Sequence, residues 1–410
     1  MSFSVIENGS VTSPACFQAC GVVCGLKRSG APDMAMIYSP RPCVTAGAFT
    51  SNLFAAAPVE YDRAIVASGN PVQMVVVNSG NANACTGENG LADAKRTAEL
   101  AGKLMMLHPS QVLVSSTGRI GVPMPMDIIE KGVEMCVKEL SADGGETAAR
   151  AIMTTDTVPK HLAVSLDIGG ATVRIGGMTK GAGMIAPKLK MQPPQATMLC
   201  YLTTDANIER KALNDCLSNA IDNSFNRITV DGDTSTNDTV LVLANGAAGN
   251  DEIKAGTPEC AAFGEALQYV MADLAKRMVL DGEGVSKFVE VNIHGAASKA
   301  DAKICAEAIA NSALCKTAWF GADPNWGRIL CAAGYCGISF DPSKADLFYD
   351  GVPVVRGGVD AGTPEADLVK VLKNREWKMD LYLGAGDCDY TVWTCDLTYD
   401  YVKINADYHT

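Results

Sequence analysis

Residues 192–205 read QPPQATMLCYLTTD, and the fold is read outward from this run. Met198 to Leu202 has the unbroken apolar character of a buried strand, yet Pro193 and Pro194 stand just ahead of it. Proline fixes φ and removes the backbone donor, so neither a helix nor a central strand continues through the pair. The strand is therefore entered abruptly at Thr197. On both sides of this entrance, strand-like and helix-like segments alternate. VQMVVVNSG (72–80) and QVLVSSTGRIG (111–121) read as buried strands ending in polar turns, and LADAKRTAELAGKLMMLH (91–108) as an amphipathic helix. HLAVSLDIGGATVRIGG (161–177) alternates with period two around Gly169-Gly170, a hairpin signal. Beyond Thr197 the pattern predicts a helix near 208–222, a strand at 239–244, a long helix over 260–278, and further strands in KMDLYLGAG and YTVWTCDL. The class is α/β (α+β), with strands on each side of residue 196.

Composition narrows the function. A chain of 410 residues that is 48% hydrophobic can fill a large core, and no apolar run reaches the roughly 20 residues of a membrane span. A net charge of −12 without Lys or Arg runs argues against nucleic-acid and anionic-membrane surfaces. The beginning, MSFSVIENGSVTSPA, has neither a secretory nor an organellar pattern, so a cytoplasmic location is expected. Fifteen cysteines are scattered among apolar neighbours without a CxxC pair, as reduced buried thiols would be. No metal site is expected, because Cys16, Cys20 and Cys24 lack partners and the four histidines have no ligand spacing.

Seven Gly-flanked polar turns fall where strands end: 78–87, 115–121, 153–160, 179–187, 230–238, 280–287 and 321–330. DGDTSTND fails as a calcium loop, since its sixth position is Thr236 and its twelfth Val242. TKGAGM lacks P-loop spacing, which removes nucleotide phosphate binding. Hydroxyls, one lysine, one glutamate and paired backbone amides remain, a set suited to acyl transfer. A nucleophile without a histidine base needs another base. If the bond before Thr197 were cut, the new α-amine, with an ordinary pKa of about 7.7 to 8.0, would lie beside its own Oγ.

NSGNANACTG, STGRIG, AIMTTDT, KGAGMIAP, ATML with LTTDA, VDGDTSTNDT, DGEG, DPNWGRIL and CDLTYDYVKINADYHT follow one another along nearly the whole chain. Together they resemble the ornithine acetyltransferase family of arginine biosynthesis, also called bifunctional glutamate N-acetyltransferase. The resemblance implies a layered αββα sandwich with a smaller C-terminal α/β subdomain near 290–410. It also implies self-cleavage between Ala196 and Thr197, giving an alpha chain (1–196) and a beta chain (197–410) that associate as a heterotetramer of two of each. Thr197 is then the N-terminal nucleophile, taking acetyl from N-acetylornithine and handing it to glutamate through an acetyl-threonine. Thr117 and the Gly118 amide fall on the oxyanion hole, and Thr155, Lys180, Thr197, Glu283, Asn405 and Thr410 on substrate-contacting positions. Thr154 and Thr157 stand beside Thr155 and leave that transfer open. No bound cofactor is implied, and acetyl-CoA is admitted as a second donor.

One departure stands next to the scissile bond. The family pattern passes from the MIAP proline to Ala-Thr through two residues, whereas eight separate Pro187 from Ala196 here. The extra residues, Lys188 to Pro193, read as a surface bulge. Two other readings stay open: an N-terminal-nucleophile amidase or aminopeptidase, in which water takes the acyl group, and a non-catalytic amino-acid-binding protein whose insertion has disabled cleavage.

Overall fold

A computed structural model describes residues 3–189 and 198–407. The chain divides into two units. The first holds the residues up to Asn226 and Asp233–Met278, and the second holds Arg227–Gly232 and the chain from Val279 onward. The continuous part of the second unit thus begins ahead of the position near 290 expected for a C-terminal subdomain.

The strands of the first unit are β1 (Phe3–Ile6), β2 (Gln18–Val22), β3 (Met34–Phe49), β4 (Val72–Asn81), β5 (Val112–Arg119), β6 (Lys160–Ile168), β7 (Ala171–Lys180), β8 (Leu199–Thr204) and β9 (Thr239–Ala244). Among the described residues they run in the order β1-β6-β7-β8-β9-β3-β4-β5, with β2 paired to β3. The pairs β4·β5 and β8·β9 are parallel and the others antiparallel. β3 serves two groups of strands. Its first part pairs with β2 and β4, and its last part, Val44–Phe49, pairs with β9. Pro40 and Pro42 have no N–H to offer, and pairing with β4 lapses between Tyr38 and Cys43.

Period two decides which side chains face which layer. Met74, Val76, Val112 and Val114 pack with Ala98 and Ala101 of the helix Gly87–Met105 and with Ile129 and Val133 of Met126–Glu139. Val75, Val77 and Leu113 point the other way, toward Ala56 and, on the helix Ala57–Ser68, Val59 and Ile65. Strands covered on both faces read as continuous apolar runs, which is why β4, β8 and β9 are legible as they are. The hairpin joining β6 to β7 turns at Gly169 and Gly170, whose φ values of 60° and 85° suit a primed turn.

The second unit carries β10 (Phe288–Ala296), β11 (Asp346–Tyr349), β12 (Val352–Arg356), β13 (Val359–Asp360), β14 (Glu376–Tyr382) and β15 (Cys388–Cys395), in the order β13-β12-β11-β14-β10-β15. Val289, Val291 and Ile293 bury one face of β10 in a core with the helices Lys299–Ala310, Ala313–Phe320 and Trp326–Tyr335. The alternating residues Glu290, Asn292 and His294 make hydrogen bonds across the opposite face to Trp393, Thr391, Asp380 and Asp389.

The bulge expected over Lys188–Pro193 needs correction at its start. Leu189 is buried. Its N–H donates to Asn226 Oδ1 at 2.5 Å, and Asn226 Nδ2 donates to its carbonyl at 2.8 Å. One carboxamide thus satisfies both backbone groups and lets the leucine turn inward. Residues 190–193 lie outside the described residues. Among the described residues, no helix is long and apolar enough to cross a membrane.

Candidate active site

β4 and β5 run parallel, so their polar ends lie together, with Ser79 opposite Thr117 and Gly80 opposite Gly118. Gly118 has φ 129°, and a Cβ there would stand 2.4 Å from the Gly80 carbonyl carbon. Only glycine fits this crossing. The turns on either side fix it. Ser116 Oγ donates to Asn78 Oδ1 at 2.6 Å, and Asn237 Nδ2 donates to the Ser116 carbonyl at 2.8 Å. Asn237 belongs to VDGDTSTND, so two of the polar turns singled out in the sequence meet at Thr117.

A third turn arrives with Lys180, the last residue of β7. Its side chain is buried, and Nζ donates to Thr117 Oγ1 at 3.2 Å. Lys180 is also paired with Leu199, the first residue of β8. On the other side of β8, the Thr239 amide donates to the Met198 carbonyl at 2.7 Å. The oxyanion candidates Thr117 and Gly118 therefore share one end of the sheet with the entrance to β8.

The turn 153–160 is pinned to the same end by Asp156. This fully buried carboxylate pairs with Lys160 Nζ at 2.7 Å and accepts the Gly181 amide at 2.7 Å and the Thr154 amide at 3.0 Å. Burial alone would raise its pKa, but Lys160, Lys180 and the Gly181 amide outweigh it and bring the group down to about 2. Thr154 and Thr155 are half-buried, whereas Thr157 is exposed.

Several groups at this end are not among the residues picked from the sequence. Lys27 is one. The carboxylate of Asp33 accepts the amides of Cys24, Gly25, Leu26 and Lys27, and this cup of donors sets the loop against Gly80, where a Cβ would touch Leu26 at 3.4 Å. Burial lowers the Lys27 ammonium to about 8, with Asp33 and Asp156 opposing and Lys180 adding to the shift. The glycines of GLKRSG were the available signal for that loop. Asp156 and Asp238 lay inside turns already noted; Thr155 drew the assignment in the first of these turns, and no residue of the second was singled out.

In the second unit, Asn405 lies on the helix Tyr399–Asp407, and its Nδ2 donates to Glu283 Oε2 at 2.8 Å. Thr398 Oγ1 donates to the Gly284 carbonyl at 2.8 Å, so that helix is docked on the DGEG turn. Gly284 has φ 67°, and a Cβ would meet the Tyr401 nitrogen at 2.6 Å. Ala196, Thr197 and Thr410 lie outside the described residues.

A hydroxyl, a backbone amide that only glycine allows and a buried lysine, set on a mixed α/β scaffold, are the equipment of an acyl-transferring enzyme. Comparison with known proteins agrees with this class. The chain belongs to the ArgJ family, whose pattern matches residues 18–410. It is 50% identical over 404 residues to the arginine biosynthesis bifunctional protein ArgJ of Symbiobacterium thermophilum, covering 98% of this chain and 99% of that protein. With the protein of the same name from Geobacter sulfurreducens it shares 48% identity, covering 96% of this chain and 99% of that one. Among solved structures, an ornithine acetyltransferase complexed with ornithine from Mycobacterium tuberculosis is 40% identical over 46% of this chain and 100% of that chain, with a TM-score of 0.43.

Proposed function

We propose that the protein transfers the acetyl group of N-acetylornithine to glutamate in arginine biosynthesis. The observation that carries this reading is the 3.2 Å hydrogen bond from Lys180 to Thr117, made where β7 delivers Lys180 to the start of β8. Thr197 stands two residues before Leu199 in the chain and supplies the nucleophile after the chain is cut behind Ala196. Its Oγ attacks the acetyl carbonyl, the α-amine takes the hydroxyl proton and passes it to the ornithine nitrogen as the C–N bond breaks, and an acetyl-threonine forms as ornithine leaves. The Thr117 hydroxyl and the Gly118 amide receive the developing oxyanion, and the Lys180 charge beside them favours it. Glutamate then takes the acetyl group by the reverse sequence. Thr155, Glu283, Asn405 and Thr410 are assigned to substrate contact, with no bound cofactor, and acetyl-CoA serves as a second acetyl donor to glutamate. The enzyme works in the cytoplasm as two alpha and two beta chains, 196 and 214 residues long (410 − 196 = 214).

A denaturing gel with N-terminal sequencing tests the processing. Two fragments are expected, the second beginning Thr-Met-Leu-Cys, while Thr197→Ala stays a single chain. A Thr197→Ala chain still cut at the same bond would show that another group is the nucleophile. For the transfer step, Thr117→Ala is expected to lower kcat by about 100-fold or more with little change in thermal midpoint. Activity within about a factor of two of the parent would remove Thr117 from the oxyanion role.

A further inference from the structure

We propose that Cys216 and Cys260 form a redox-sensitive modification site, at which hydrogen peroxide oxidises the two thiols to a disulfide that ties together two helices of the first unit. Cys216 lies on the buried face of the helix Arg210–Asp222, with Ala212, Leu213 and Ala220. Cys260 lies in the first turn of the helix Pro258–Leu280, where its amide donates to Thr257 Oγ1 at 3.2 Å. Their Sγ atoms stand 3.5 Å apart, and the Cys216 thiol also donates to the Cys260 carbonyl at 3.5 Å. A glycine makes room for this approach. A Cβ at Gly264, one turn beyond Cys260, would stand 3.3 Å from Cys216 Sγ. Further along, Asn219 Nδ2 donates to Gln268 Oε1 at 3.4 Å, so the two helices run side by side past the thiols.

A disulfide needs about 2.05 Å between its sulfurs, so the pair must close by about 1.5 Å, a gap within reach of side-chain rotation and a small approach of the helices. Access separates this pair from other thiols. Cys216 and Cys260 are 7% and 8% exposed, whereas Cys43, Cys200 and Cys395 are fully enclosed. The bond would also fall where it can steady the sheet. The helix Pro258–Leu280 lies over β7, where a Cβ at Gly177 would meet Leu274 at 2.9 Å, and the helix Arg210–Asp222 follows β8 in the chain.

The steps balance with hydrogen peroxide as the oxidant. The Cys260 sulfur attacks one peroxide oxygen, the O–O bond breaks, and the leaving hydroxide takes the thiol proton, giving a sulfenic acid and water. The Cys216 sulfur then attacks the sulfenic sulfur, the S–O bond breaks, and the Cys216 proton leaves with the hydroxide as a second water. Each sulfur gives up one electron overall, and the two peroxide oxygens are reduced. Burial, with the neighbouring Cys260 thiol after it, pushes the Cys216 thiol up, so Cys216 keeps its proton until the second step. A small thiol reverses the bond by exchange.

The test treats the reduced full-length protein with hydrogen peroxide, alkylates the remaining thiols and digests with trypsin before any reduction. The peptides Ala212–Arg227 and Ala255–Lys276 hold one cysteine each and both follow residue 196, so the readout is the same whether or not the chain is cut. A linked species is expected, lighter by two hydrogens than the two peptides together and lost after dithiothreitol. The thermal midpoint should rise with it by about 5 °C or more and fall back on reduction. Recovery of the two peptides only as separate species would overturn the proposal, as would the same rise in midpoint for Cys216→Ser, with melts of the reduced proteins establishing folding. The order of steps has its own readout in a diketone that traps sulfenic acids. It is expected to label Cys260 in Cys216→Ser and to leave Cys216 unlabelled in Cys260→Ser; the opposite pattern would overturn that order.

Discussion

Asp156 and Lys160 are both withdrawn from solvent, so each depends on the other. Replacing Asp156 with Asn leaves Lys160 as a buried charge without its counterion, a change expected to cost about 3 to 5 kcal/mol. The folded pKa of Asp156 is depressed to about 2, below an unfolded value of about 3.9. Its contribution is therefore present above the unfolded value and lost as pH falls through about 2. Urea titrations should show a large deficit for Asp156→Asn at neutral pH that shrinks near pH 2.5 (about one unit below the usual carboxylate value); an equal deficit at both would show that packing, not charge, holds the turn. Gly118→Ala acts by geometry instead. Its Cβ would press on the Gly80 backbone, so the strand end must shift and the oxyanion amide with it. A fall in kcat of about 100-fold or more is expected, compared with near-normal activity for an Ala replacing the exposed Gly334, where a Cβ meets nothing within 4 Å. Wild-type kcat for Gly118→Ala would take the Gly118 amide out of the mechanism. These residues differ in how far the sequence exposed them. Thr117, Gly118 and Lys180 could be placed from ordered motifs, whereas the burial of Asp156 and Asp238 depends on which strands become neighbours.

Among the elements, those with a clear period were legible. The strand expected at 239–244 is β9, the helix expected at 260–278 spans Pro258–Leu280, and the Gly169-Gly170 turn joins β6 to β7. β3 was not legible, because SPRP inside it reads as a terminator, and only tertiary pairing shows that the strand resumes with a new partner. The strand order was hidden for a similar reason: a pairing such as Leu199 with Thr239 leaves no local pattern. On β10, His294 holds Asp380 at 3.2 Å and Asp389 at 3.0 Å, and the Asp380 contact leads in raising its pKa. A raised folded value means that this contribution is present below the unfolded pKa of about 6.5 and lost as pH rises through the folded one. His294→Gln should thus melt below wild type near pH 5.5 and close to it near pH 9 (roughly one unit below and two or more above the ordinary His value). A gap that does not narrow would mean that His294 acts by packing on Tyr382. Leu189→Ala tests the anchored start of the insertion, with an expected loss of about 2 to 5 kcal/mol in denaturant titration. A loss below about 0.5 kcal/mol would mean that this anchor carries no stability.

Taken as a molecule, the first unit explains how a cut behind residue 196 leaves a working protein. β8 and β9 come after the proposed cut, yet they lie between β7 and β3, which come before it. Both pieces thus contribute neighbouring strands to one sheet, and the β7·β8 ladder from Lys180–Leu199 to Ile175–Thr204 crosses the junction. The fragments should co-elute in native size exclusion and separate only in denaturant; separation in native buffer would contradict the sheet order. The central claim is acetyl transfer through Thr197. Its most direct measurement follows acetyl-labelled N-acetylornithine with and without glutamate, by quenched mass spectrometry of the peptide that begins at Thr197 and of the small-molecule products. The account predicts label on that peptide, discharged by glutamate into N-acetylglutamate. Label released as free acetate at the same rate with or without glutamate, or transfer that proceeds with the peptide never labelled, would contradict it.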